Sequence, residues 1–255
     1  MALSRKRSYP FGKMSTPEIK VVPDPAAVAM EGAERFVDAA GQAIEAHGKF
    51  SVVLSGGHTP KAMFELLSQE PFRSQVTWEK VEVFFGDERC VPPESEESNY
   101  RMARESLLAN VPIPGDNVYR IRGEIAPQEA AIEYGQMLKE KFGDGGLDLI
   151  LLGMGRDGHT ASLFPGTEAL HETRHRVVAN FVEKLNAWRV TMTAPFINRA
   201  ADVIFLVEGA DKSARVAEVL EGPRDPERLP SQLIAPTDGK LVWILDSAAA
   251  GMEEE

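Results

Sequence analysis

The sequence predicts an α/β fold: a mostly parallel sheet with helices on both faces and a small antiparallel addition. Three observations predict it. Short apolar runs rich in β-type residues alternate with segments of helical periodicity along most of the chain. One of them, LDLILL at 147–152, is almost uniformly apolar, the pattern of a strand covered on both faces. Two more, HRVVANFV (175–182) and AWRVTMT (187–193), follow each other with no helix between them and read as an antiparallel hairpin.

The elements follow in order. Residues 26–48 carry apolar side chains at helical spacing and form a long amphipathic helix. FSVVL (50–54) is a short strand, and Pro60–Gln69 is a helix with Pro60 at its first position. VEVFF (81–85) is a second strand, followed by a loop and a helix over 97–109. NVYRI (117–121) reads as a strand and 127–141 as a helix, ahead of the strand at 147–152. Beyond the hairpin, DVIFLVEG (202–209) leads into a helix at 212–220, and LVWIL (241–245) is a last strand ending in Asp246. EGPRDPERLP (221–230) is a loop inside the domain rather than a boundary. Strands alternating with helices in this way argue for a parallel sheet sandwiched between helical layers.

At 255 residues, 43% hydrophobic and 26% charged, the chain is long enough to bury a sizeable core without staples. A single domain over 18–248 is expected. Residues 1–17 are basic and acid-free and read as a disordered tail, with a processed targeting segment as the alternative. The acidic end, 249–255, reads as frayed. One cysteine, Cys90, excludes an intrachain disulfide and a thiolate metal site. No apolar run reaches the roughly 18–20 residues of a membrane span, which points to a cytoplasmic protein without membrane contact. The net charge of −11 argues against nucleic acid. An anionic small substrate would then rest on a few local cations and backbone N–H groups. No oligomeric state follows from the sequence.

In open parallel sheets, ligands bind beyond the carboxyl ends of the strands. Three loops there have unusual composition. Ser55-Gly56-Gly57-His58-Thr59-Pro60 follows the first strand; its glycines admit a ligand close to the backbone, and the next helix opens with unpaired N–H groups suited to phosphate. A plain glycine-rich turn accounts for it equally well. Gly86-Asp87-Glu88-Arg89-Cys90 can position a polyol and a charge, or form a solvated salt-bridged turn. Cys90 beside Arg89 has no base near it in sequence to activate a thiolate. Gly153-Met154-Gly155-Arg156-Asp157-Gly158-His159 contains a literal G-x-G-x-x-G, but Pro165 and Gly166 interrupt the helix a dinucleotide site needs. The Asp157–His159 pair is the better clue, because a carboxylate can orient an imidazole and tune it as a general base. The other histidines, 47, 58, 171 and 175, lack metal-ligand spacing, and His171 and His175 read as surface residues. No metal and no cofactor is expected.

Taken together, SGGHTP (55–60), FFGDERCVP (84–92) with SNY (98–100), DLILLGMGRDGHTASLFPGT (148–167), WRVTMTAPFIN (188–198) and VEGADK (207–212) resemble the 6-phosphogluconolactonase family. That family lies within a larger group that includes glucosamine-6-phosphate deaminases. The resemblance implies a Rossmann-like sheet and metal-independent hydrolysis of a phosphorylated sugar lactone. It implies His159 as the base that activates water, with Asp157 orienting His159 or the sugar hydroxyls. Asp87 and Arg89 would line the sugar, Arg89 facing the developing negative charge. Gly56, Gly57 and Thr59, with Arg189 and Lys212 as cations, would hold the phosphate. The deaminases carry a glutamate five residues after the matching histidine, where this chain has Phe164. A non-catalytic sugar-phosphate-binding regulator is the remaining alternative; it would have no need of Asp157 and His159.

Overall fold

The structure is a computed structural model that describes residues 16–252. The basic stretch at 1–15 and the last residues, 253–255, lie outside them.

The chain enters through β1 (Glu18–Val22) and α1 (Pro25–His47). Asp24 caps α1 by accepting from the Ala27 N–H at 2.8 Å, and Pro25 suits the first helical position. The buried stripe of α1, Val28, Ala29, Ala33, Phe36, Ala40 and Ala43, matches the periodicity of the sequence. There follow β2 (Phe50–Leu54), α2 (His58–Leu67), the short α3 (Phe72–Gln75), β3 (Val81–Phe85), β4 (Asp87–Arg89) and α4 (Asn99–Ala103). Next come α5 (Pro127–Phe142), β5 (Leu149–Leu152), β6 (Val177–Val182), β7 (Ala187–Met192) and α6 (Ala194–Ile197). The chain closes with β8 (Asp202–Val207), α7 (Ser213–Glu221) and β9 (Lys240–Asp246).

Six strands form one sheet in the order β1-β9-β8-β5-β2-β3, every pair parallel. β2 and β5 are buried along their whole length, as continuous apolar runs in a doubly covered sheet should be. Phe205 and Trp243, on neighbouring strands, stack at 3.9 Å, and Phe36 packs between Phe50 and Trp78. The remaining strands, β4-β7-β6, make a separate antiparallel sheet. The expected α/β architecture and its antiparallel hairpin are both present.

Five local readings need correction. β1 went unread because its EIKVV is a mostly exposed edge strand with charges among its apolar residues. Residues 117–121 form no strand. Val118 makes one isolated bridge to Val83, after which Gly123 lies against the backbone of Arg89 and Val91 and turns the chain away. The helix expected over 97–109 is α4 followed by a π-helical stretch, Arg104–Leu108. Pro60 occupies the third position of α2, not the first, because the helix begins at His58. At the other end, Ala249 is fully buried and its N–H donates to Asp246, so the packed chain runs past residue 248. No helix among the described residues is long and apolar enough to cross a membrane.

Candidate active site

The order in which strands are added reverses between β2 and β5: β3 lies on one side of β2, while β5, β8 and β9 extend on the other. Loops leaving the carboxyl ends of strands on either side of such a switch diverge and leave a crevice. Here that crevice is a cleft of about 620 Å³ lined by the loops after β2, β5 and β8 and by β4. The three loops singled out from composition therefore meet at one place.

Gly56, Gly57 and Thr59 line the cleft where α2 begins. A Cβ on Gly56 would lie 1.9 Å from Asn99 Oδ1, so a glycine is needed to bring this loop against α4. The Ser55 hydroxyl, buried at the same edge, has no partner among the described residues.

Asp87 and Arg89 reach the cleft from β4. Asp87 is 7% exposed and tightly held: Ser162 Oγ donates to Oδ2 at 2.6 Å, and Asn99 Nδ2 donates to its carbonyl at 2.9 Å. Between them, Glu88 points inward and accepts from the N–H groups of Asn99 and Tyr100 at 2.7 and 2.8 Å, anchoring the start of α4. Burial pushes its carboxyl up, against these backbone donors. The Arg89 guanidinium donates to the Glu97 carbonyl and pairs with no carboxylate among the described residues. The Cys90 thiol is pushed up by burial, the opposite of an activated thiolate.

His159 sits on the loop after β5. This loop does not open a helix but folds on itself: Gly155 N–H donates to the His159 carbonyl at 2.9 Å, and Thr160 Oγ1 donates to the Gly153 carbonyl at 2.9 Å. A Cβ on Gly155 would lie 2.1 Å from the imidazole, so this glycine makes room for the ring rather than for a pyrophosphate. His159 Nδ1 lies 2.5 Å from Asp157 Oδ1, and Nε2 has no partner among the described residues. That contact assigns the proton to Nδ1 and leaves Nε2 as the acceptor. Burial pushes the imidazole down to about 4; Asp87 opposes this, while Lys212, Arg89 and Arg189 add to it. Phe164 stacks on the ring at 4.1 Å. Asp157 does not line the cleft and contacts the histidine from behind it.

Lys212, after β8, lines the cleft, makes no ion pair among the described residues, and has its ammonium pushed down by burial. Nearby side chains are already committed: Arg156 pairs with Asp211, while His58 Nδ1 lies 2.9 Å from Glu208 Oε1. Arg189, like Asp157, is an expected residue outside the cleft wall. It stands opposite Arg89 in the β4–β7 register, but its guanidinium donates to the Trp188 carbonyl and it does not line the cleft. His171 and His175 are exposed, as expected.

Residues 23–243 match the family described as glucosamine-6-phosphate isomerases/6-phosphogluconolactonase. The chain belongs to that family. It is 40% identical over 241 residues to a 6-phosphogluconolactonase of Nostoc sp., covering 92% of this chain and 97% of that one. A Synechocystis sp. 6-phosphogluconolactonase is 41% identical over 214 residues, covering 82% and 86%. Among solved structures, the 6-phosphogluconolactonase of Trypanosoma brucei superposes with a TM-score of 0.82 at 30% identity, covering 94% of this chain and 99% of that one. At and beside this cleft, sequence reasoning missed Ser55, Asn99 and Ser162 as individuals, although each lies in a quoted motif. Their roles, lining the cleft and holding Asp87, depend on contacts between segments far apart in the chain.

Proposed function

We propose that the chain hydrolyses 6-phospho-D-glucono-1,5-lactone to 6-phospho-D-gluconate, in the oxidative pentose phosphate pathway and in the cytoplasm, by metal-independent general-base attack of water. One observation carries the mechanism: the His159 imidazole, tied to Asp157 through Nδ1 and with Nε2 unpartnered among the described residues, lines a cleft where Arg89 and Lys212 pair with no carboxylate among them. His159 Nε2 takes a proton from water as the water oxygen bonds to the lactone carbonyl carbon. The imidazolium formed is held by the Asp157 carboxylate, and negative charge on the carbonyl oxygen is met by Arg89. Collapse of the tetrahedral intermediate breaks the bond to the ring oxygen, which recovers the proton from His159. The new carboxylic acid then ionises.

The phosphate is placed at the start of α2, on the N–H groups of Gly57 to Thr59, with Lys212 as its cation and the Ser55 hydroxyl within the same wall. A bound phosphate cancels part of the field of Lys212 on His159, so substrate binding raises the base toward neutral pH. Phe164, an apolar ring packed on His159, cannot carry a proton in a deaminase role.

The test follows freshly generated lactone above its spontaneous hydrolysis. His159→Ala should lose about 10²–10⁴-fold in kcat while still binding phosphogluconate. Hydrolysis no faster than background by folded wild type would overturn the activity; full activity in the variant would overturn the mechanism.

A further inference from the structure

The β6–β7 hairpin belongs to the small sheet and contributes no residue to the wall of the cleft. Its turn nevertheless reaches the base. Val182 pairs with Ala187, the intervening residues turn through Asn186 in the left-handed region, and this projects Lys184 back toward the loop after β5. There Lys184 Nζ donates to Asp157 Oδ2, the oxygen that His159 does not use. The same ammonium lies 4.6 Å from the centroid of Phe164, whose ring stacks on His159 at 4.1 Å and 23°. Ammonium, carboxylate, imidazole and phenyl ring thus form a closed circuit. It joins the small antiparallel sheet to the catalytic loop.

Resting on the lactonase reading above, we propose that Lys184 is a positioning residue that acts through Asp157 to hold His159 in its base-competent rotamer and protonation state. The physical case has two parts. With Lys184 on one oxygen and His159 on the other, the Asp157 carboxylate has a single rotamer that serves both, so the ring cannot turn without breaking a charged contact. Lys184 also neutralises part of the Asp157 charge, which would otherwise favour the imidazolium and leave the base protonated at higher pH. The other charged groups facing His159 are Asp87 and Arg89 from β4, Arg189 from β7 and Lys212 from the loop after β8. None of them contacts Asp157. Lys184 is therefore the one cation among the described residues that reaches the base through its orienting carboxylate. Its side chain is half exposed, so it can be replaced with little risk to the core.

The experiment uses the full chain, ¹⁵N-labelled, as wild type, Lys184→Met and Lys184→Arg. The His159 ring is titrated by NMR without substrate, its signal assigned by its loss in His159→Gln, and kcat/KM for the lactone is measured against pH. Lys184→Met should raise the ring midpoint by about one unit, the scale of a single neighbouring charge, and carry the acid limb of kcat/KM with it. Lys184→Arg, which keeps the charge and can still bridge, should restore both. An unmoved midpoint in Lys184→Met, or an equal shift in both variants, would overturn the proposal. If wild type fails to turn over lactone, the lactonase reading falls, while the ring titration still decides whether Lys184 governs His159.

Discussion

Replacing Gly56 with alanine tests whether the cleft depends on the packing of the β2 loop against α4. The new Cβ would lie 1.9 Å from Asn99 Oδ1, 2.5 Å from Cγ and 3.0 Å from Nδ2. Ordinary contact begins near 3.4 Å, so the Asn99 amide must retreat by about 1.5 Å. Asn99 is 3% exposed and cannot swing into solvent. The retreat breaks its bonds to the Asp87 carbonyl at 2.9 Å and to Oδ1 at 3.3 Å. At about 1 kcal/mol each, plus the cost of leaving a buried carbonyl unpaired, the loss is about 2–4 kcal/mol of stability. Asp87, then held mainly by Ser162, loses its fixed position, and a displacement of about 1 Å in such a group costs about 10²-fold in turnover. Urea unfolding and lactone hydrolysis measure the two effects. Asn99→Ala removes the atoms that clash, so in that background Gly56→Ala should cost under about 0.5 kcal/mol. Equal costs in both backgrounds would refute the steric account.

The imidazole of His159, held near 4 by burial and by Lys212, Arg89 and Arg189, should titrate near that value in the free protein and rise when phosphogluconate binds; NMR reads both, and a free value near 6.5 would count against the burial. The sign for stability follows: the unfolded chain binds the proton first, so this group's contribution is complete above pH 6.5 and is lost as pH falls toward 4. That part of the acid destabilisation should vanish in His159→Gln. Tyr134→Phe removes the hydroxyl that accepts from Phe85 N–H at 2.8 Å, at the outer edge of β3, and should cost about 1–3 kcal/mol in urea unfolding. Lys212→Met should raise KM for the phosphorylated lactone far more than for unphosphorylated gluconolactone; equal effects on both would remove Lys212 from the phosphate.

Much of this architecture was legible in the chain itself. β2, β5 and β8 are apolar runs with no alternation, and a strand of that kind is stable only when helices cover both faces, so composition alone settles their burial. The glycine-bearing loops after β2 and β5 and the Asp157–His159 pair were readable for the same reason: their residue types serve local backbone and proton chemistry that acts over a few residues. What lies at sheet edges was not. β1 and the bridge at Val118 are exposed or single-residue pairings, held by neighbours distant in sequence rather than by a pattern of their own. Arg189 matched a motif and stands beside Arg89, close enough to act on His159, yet its guanidinium donates to the neighbouring Trp188 carbonyl and does not line the cleft. The strand order alone decides that the loops after β2, β5 and β8 converge, since the crevice exists only where the winding reverses between β2 and β5. The same holds for Asn99 against Gly56, Ser162 on Asp87 and Lys184 on Asp157: each contact joins segments far apart in the chain. No periodicity records such a meeting, so only the packed molecule could show how the base is held.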